Sequence, residues 1–159
     1  MKKKLFTTLM ALAMTTASFA QFEAGKIYAG ASLSGLNASY NGTEKGKFDL
    51  GLKGGYMFED DWMITADLDF HKYNSIPKTV NVGVGVRYYI EQNGLYLGAK
   101  VGYAHGADFD DFQPGVQVGY AFFLSRTVTI EPELYYNQSL KNHSDYSTVG
   151  LRIGIGVYL

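Results

Sequence analysis

The feature that most constrains this chain is a strict alternation of apolar and other residues that recurs in separate segments. In one of them Trp62 and Ile64 alternate with Met63 and Thr65, and the pattern runs on to His71. A period of two over this length is typical of β-strands whose two faces meet different surroundings. The sequence therefore predicts an all-β fold whose strands cover residues 27–34, 48–58, 62–71, 80–90, 95–104, 116–124, 128–136 and 149–159.

The connections between these segments alternate in length. Short ones fall at 59–61, 91–94 and 125–127, and generally longer ones at 35–47, 73–79, 105–115 and 137–148. This regular alternation indicates an antiparallel up-and-down sheet, with tight turns at one end and longer loops at the other. Closing such a sheet into a barrel pairs the first strand with the last and leaves no exposed edge.

All the charged residues of the predicted strands lie on the face opposite the apolar one. They are Asp49, Lys53, Asp67, Asp69, Arg87, Lys100, Glu131, Glu133 and Arg152. A turn centred on Asp60 places Lys53 directly opposite Asp67, and Glu133 and Arg152 lie on neighbouring strands. A soluble barrel would carry this face outside, whereas a membrane barrel would enclose it. Five acids against four bases can pair, so we expect the second arrangement, with a structural role for these charges inside the barrel.

Aromatic residues on the apolar face also favour a membrane barrel. They concentrate near the two ends of the strands, with smaller aliphatic residues filling most of the middle, as in the girdles at the two interfaces of a bilayer. The predicted girdle residues are Phe48, Tyr56, Phe58, Trp62, Phe70, Tyr88, Tyr103, Tyr120, Phe122 and Tyr136. We therefore predict an eight-stranded transmembrane β-barrel with short periplasmic turns and longer extracellular loops.

The first twenty residues have the organisation of a cleavable signal peptide. Lys2, Lys3 and Lys4 precede a short apolar stretch, and small residues occupy the −3 and −1 positions of a cut after Ala20. The apolar stretch is shorter than the roughly 20 residues that a membrane-spanning helix needs. We expect residues 1–20 to be removed on export and residues 21–159 to form one barrel domain.

Composition excludes several kinds of site. The chain has no cysteine, so it holds no disulfide and no thiolate metal site. Without the three N-terminal lysines it carries 11 basic and 15 acidic residues, a balance that argues against a nucleic-acid partner. His143 and Ser144 are adjacent and would face opposite sides of a strand. We see no acid–histidine–serine set and predict no catalytic residue, cofactor site or metal site.

With its alternating segments, enclosed charges and signal peptide, the chain resembles the small outer-membrane β-barrel family of the OmpA/OmpX type over residues 21–159. The final segment, Val149 to Leu159, is similar to the last strand of that family, except that it ends in Leu rather than the usual Phe. The resemblance implies an outer-membrane location in a Gram-negative cell envelope. It also implies that the barrel-insertion machinery reads the last strand.

The fold leaves the function open, because one architecture can serve many roles. We expect a non-enzymatic protein that contacts outer-membrane lipid, has a structural or surface-interaction role, and could bind an extracellular partner through its loops. The alternatives are a small porin-like or transport-related channel and, less favoured, a lipid-active enzyme. An eight-stranded barrel filled by side chains argues against a channel.

Overall fold

In the computed structural model, residues 22–34, 48–72, 79–90, 93–106, 109–140 and 147–159 are described. They form one antiparallel sheet that closes on itself. Its strands are β1 (Ile27–Ser34), β2 (Phe48–Glu59), β3 (Trp62–Lys72), β4 (Thr79–Tyr89), β5 (Leu95–Gly106), β6 (Phe109–Tyr120), β7 (Phe122–Phe123), β8 (Val128–Asn137) and β9 (Thr148–Tyr158). The short β7 continues β6 along the same neighbour, β8. The sheet is therefore an eight-stranded barrel, as predicted.

Strand order follows the chain, and β1 pairs with β9 to close the barrel. The stagger of the barrel can be counted by moving from Tyr158 to its partner Tyr28 and then from each residue to its partner on the next strand. This path reaches Asn137 on β8 and returns to β9 at Thr148, so the stagger is ten residues. With the usual strand rise and spacing, this stagger gives a strand tilt of about 40° and a Cα radius of about 8 Å. Such an interior has room for packed side chains and little else.

The apolar face points outward, which confirms the predicted membrane arrangement. Along β3, Ile64, Leu68 and Phe70 are exposed, whereas Met63 and Asp67 are buried. A barrel in water would do the opposite, so this outer surface suits lipid. Within the described residues, no helix is long and apolar enough to cross a membrane.

One predicted loop is wrong. The segment 105–115 is mostly strand, because β5 runs to Gly106 and β6 begins at Phe109. His105, expected in a loop, lies on β5 and pairs with Asp110. The acidic residues and Pro114 make this stretch look like a loop, yet the alternation continues with Asp111 buried and Phe112 exposed. The segment is the outer part of a long hairpin rather than a free loop.

A proline in the middle of a strand predicts a bulge, but no residue is inserted at Pro132 in the middle of β8. Pro132 pairs with Ile153 of β9, and on its other side the ladder is interrupted between β6 and β7. The register is the same before and after the interruption, since Gly119 pairs with Glu133 and Phe122 with Ile130. Proline has no N–H to donate, so the ladder loses pairs there without inserting a residue.

Candidate functional site

The barrel interior holds a network of oppositely charged side chains, here called the charge network. It consists of Lys53, Asp67, Asp69, Arg87, Lys100, Glu131, Glu133 and Arg152. These residues come from β2, β3, β4, β5, β8 and β9, and the strand alternation turns them all inward. Four cations face four carboxylates, so their formal charges balance. The ninth predicted residue, Asp49, lies on β2, and its side chain is outside the described part of the structure.

Arg87 is the most enclosed cation of the network. Its NH1 lies 3.0 Å from a Glu131 oxygen and its NH2 lies 2.9 Å from a Glu133 oxygen. The guanidinium also stacks over the Tyr96 ring, with its carbon 4.1 Å from the ring centre. The amide of Gln117, oriented to satisfy both neighbours, donates to Glu133 and accepts from the Arg87 Nε. Arg87 is only 1% exposed, so its charge depends on these partners.

Two further cations lie close to Glu133. Lys53 Nζ lies 3.4 Å from Glu133 and 3.3 Å from Asp67, its direct cross-strand neighbour. Arg152, opposite Glu133 in the β8–β9 ladder, places its Nε 3.1 Å from Glu133 Oε1. That N–H is not aligned for a hydrogen bond, so charge alone carries this contact.

The upper part of the charge network is looser. Arg152 NH1 lies 3.7 Å and Lys100 Nζ lies 3.9 Å from the Asp69 carboxylate. Both distances exceed those of ordinary hydrogen bonds. Among the described side chains, the tightest ion pairs therefore lie around Arg87, and those of Asp69 are longer.

A second group of inward residues, the lower cluster, fills the end with the short turns. It contains Phe22, Tyr28, Met57, Met63, Tyr89, Tyr96, Ala121 and Tyr158. The predicted inner face consisted of the charged residues and did not include this cluster. The signal was present, because these tyrosines share the inward parity of the charged residues and sit at one end of their strands.

Phe22 belongs to the chain that precedes β1 and inserts into the barrel mouth. Its ring stacks on Tyr89 at 4.0 Å and meets Tyr158 edge-on at 5.5 Å. Its carbonyl accepts a hydrogen bond from the amide of Asp61, and the amide of Ala24 donates to the Asp60 side chain. The segment 22–26 thus crosses the mouth and is fixed to the β2–β3 turn.

The inward tyrosines lie against glycines of neighbouring strands. A Cβ added at Gly119 would collide with the Tyr96 ring, and one at Gly150 would lie 2.6 Å from Tyr135. A narrow barrel cannot hold a large side chain on every strand at one height. Inward glycines therefore make room for the tyrosine rings, which explains why both residue types are common here.

Little free space remains between the charge network and the lower cluster. The cavity among Lys53, Arg87, Tyr96, Glu133 and their neighbours measures about 20 Å³. That volume is room for about one water molecule. This part of the interior therefore leaves little room for water.

Of the predicted girdle residues, nine have side chains that the structure describes, and all nine are at least partly exposed on the outer wall. Phe48, the tenth, has a side chain outside the described part. At the short-turn end, Trp62 contacts both Phe58 and Tyr88. At the other end Phe112, missed because it fell in a predicted loop, packs edge-on against Tyr103. On β3 the two bands are about 20 Å apart along the barrel axis at the estimated tilt.

The described residues show no group of three or more acidic, histidine or cysteine side chains able to hold a metal ion. His143 and Ser144, weighed as catalytic candidates, lie outside them. The twenty residues of the predicted signal peptide also lie outside, so that assignment stays a prediction.

Comparison with known proteins agrees with this architecture. The family model for the outer membrane protein beta-barrel domain matches residues 6–159. Comparison with curated protein sequences gives no significant match.

Several solved outer-membrane barrels share the fold. Neisserial surface protein A is 20% identical with a TM-score of 0.59, covering 83% of this chain and 95% of that one. The N-terminal barrel of Pseudomonas aeruginosa OprF is 12% identical with a TM-score of 0.60, covering 86% and 98%. Yersinia pestis Ail in a phospholipid bilayer nanodisc is 16% identical with a TM-score of 0.60, covering 85% and 99%. At these identities the similarity concerns the fold alone.

Proposed function

The chain belongs to the family of outer membrane protein beta-barrel domains, and from that premise we propose that it is a non-conducting, non-enzymatic barrel with a structural or surface-interaction role. The observation that supports this most is the filled interior. Arg87 and Glu133, at its centre, contact each other at 2.9 Å, and the free space beside them is about 20 Å³. A hydrated ion needs a path much wider than a cavity that holds one water molecule.

Conductance in planar bilayers tests this proposal against the channel alternative. We expect the purified protein to insert without discrete current steps at moderate voltage. The Lys53→Ala and Arg152→Ala variants widen the interior and provide the comparison, with Val84→Ala on the outer wall as a control for insertion. Regular current steps from the unaltered protein that grow in both lumen variants, but not in the control, would contradict a closed barrel.

A surface role would depend on the segments that connect strands at the end of the barrel opposite the termini. Residues 35–47, 73–78 and 141–146 connect strands there and lie outside the described residues. Protease added to intact cells should cut within 35–47 while the strands survive. Cleavage only after the outer membrane is permeabilised would place this end in the periplasm and contradict a surface role.

We also propose that residues 1–20 are removed on export and that the barrel-insertion machinery reads β9. The support is the charge and apolar pattern of the leader and the alternation of the last strand up to Leu159. Intact mass of the protein from outer membranes should correspond to a chain that begins at Gln21. A mass that includes Met1 to Ala20 would contradict cleavage.

A further inference from the structure

The closing seam of the barrel pairs β1 with β9, the first and the last strand of the chain. Its ladder runs from Tyr28–Tyr158 to Leu33–Ile153. Beyond it, Ile27 and Leu159 exchange two backbone hydrogen bonds of 3.0 and 2.8 Å. Every other neighbouring pair in the barrel joins segments adjacent in the sequence, so this pair closes the largest loop of chain.

One buried carboxylate lies beside this seam and is held from both sides. Glu131 is on β8, next to β9, and is only 3% exposed. On its own side of the seam, the Thr129 and Tyr158 hydroxyls donate to its Oε1 at 2.9 and 3.0 Å. From the other side, the Tyr28 hydroxyl of β1 donates to Oε2 at 2.9 Å. Arg87 of β4, across the lumen, donates to the same oxygen at 3.0 Å.

We propose that Glu131 stabilises the closed β1–β9 seam from inside the barrel, through the hydrogen bond that Tyr28 donates to it across the seam. Two bonds keep the carboxylate in place on the β8–β9 side, and the Tyr28 bond reaches it from β1. The Tyr28 bond crosses the seam and can form only when β1 and β9 have met. This role of Glu131 in keeping the barrel closed is independent of whether the barrel conducts.

Phe22 and the Tyr28 ring support this arrangement. The Tyr28 ring packs against Tyr158 at 5.0 Å directly across the seam. Phe22, just ahead of β1, packs against Tyr158 and against Phe123. These packed rings lower the local dielectric constant beside the hydroxyl–carboxylate bonds, which strengthens those bonds.

Interactions absent from the transition state slow unfolding and leave the folding rate nearly unchanged. Removing the Tyr28 hydroxyl should therefore speed opening of the closed barrel. A hydrogen bond to a charged group has enough strength for an acceleration of about tenfold or more. Insertion and folding should keep nearly their normal rate.

The experiment compares Tyr28→Phe with Tyr96→Phe. Tyr96 is equally buried and donates to Glu133 at 3.0 Å, but it stands on β5, away from the seam. The closed form is followed on cold SDS gels after timed heating in detergent. Each variant is measured in the native chain and in a chain with the seam cross-linked through Ala29→Cys and Val157→Cys.

The cross-link suits this position and this chain. Ala29 and Val157 are paired outward-facing residues of the seam. Opposed residues in such a ladder stand about 5.5 Å apart at most, within the range that a disulfide spans. The chain has no cysteine of its own, so the introduced pair has no competitor.

If the seam opens first, the cross-link abolishes the acceleration caused by Tyr28→Phe and leaves that caused by Tyr96→Phe. Equal acceleration by Tyr28→Phe with and without the cross-link would overturn the proposal, as would no acceleration in the native chain. Hydrogen exchange gives a second reading should the cross-link form incompletely. Tyr28→Phe should speed exchange of β1 and β9 amides and leave the β3–β4 amides unchanged, and a uniform increase would also overturn the proposal.

Discussion

Replacing Arg87 with methionine should remove the central cation of the charge network while keeping much of its volume. Glu133 would retain Lys53 at 3.4 Å and Arg152 at 3.1 Å. Glu131 has no other cation within ion-pair distance among the described residues and would be left as a buried carboxylate without a counter-charge. Breaking a buried pair in this way costs about 3–5 kcal/mol, so we expect the free energy of unfolding to fall by that amount.

Urea unfolding in lipid vesicles, followed by tryptophan fluorescence of Trp62, measures this change. The decisive comparison is a double variant, Arg87→Met with Glu131→Gln, because it restores neutrality inside the barrel. Replacing both members of a buried pair is often close to neutral, so the double variant should recover at least half of the lost stability. A double variant that loses the sum of the two single effects would show that the pair is not coupled and would refute this reasoning.

Three further predictions concern other parts of the barrel. Gly119→Ala should lower the free energy of unfolding by about 1–3 kcal/mol, because its methyl group would meet the Tyr96 ring, whereas outward Gly54→Ala, with open space around it, should be neutral in the same urea titration. Asp61 has a φ of 64°, so Asp61→Val should lower the free energy of unfolding by about 1–2 kcal/mol, whereas Asp61→Gly should be tolerated. An equal loss in both variants would mean that the Asp61 side chain, and not its backbone conformation, is responsible. Val84→Arg, on the outer wall at mid-height, should cost about 2–4 kcal/mol in lipid, and a neutral result would indicate that this face does not meet the membrane core.

The barrel could be predicted from the sequence because a membrane strand has two faces with opposite requirements. Lipid accepts only apolar side chains over a band of fixed height, so each strand shows the same period and similar length. The predicted girdle residues Trp62 and Tyr88 at one end and Phe70 and Tyr103 at the other would mark the limits of that band. Closure follows as well, since hydrocarbon offers no hydrogen bonds to an open edge.

The parts that were wrong or missed lie where these requirements relax. Beyond the outer girdle, a strand no longer needs an apolar face, so the acidic outer end of the β5–β6 hairpin resembles a loop in sequence. The lower cluster was missed because tyrosine suits both a lumen and an interface, and only parity separates inward Tyr89 from outward Tyr88. Pro132 was expected to distort a strand, but a gap in the ladder proved sufficient.

The local sequence pattern predicts some of the ion pairs in the lumen but not others. Lys53–Asp67 and Glu133–Arg152 are direct neighbours in a ladder, so turn geometry alone brings them together. The contacts of Arg87 with carboxylates of β8 cross the lumen, and they depend on the stagger of the closed barrel, which shifts each strand relative to the next. That stagger accumulates to ten residues around the sheet and has no signature in any single strand. Because the stagger of the closed barrel brings Arg87 to these carboxylates, the residues that fill this lumen also stabilise the closed form.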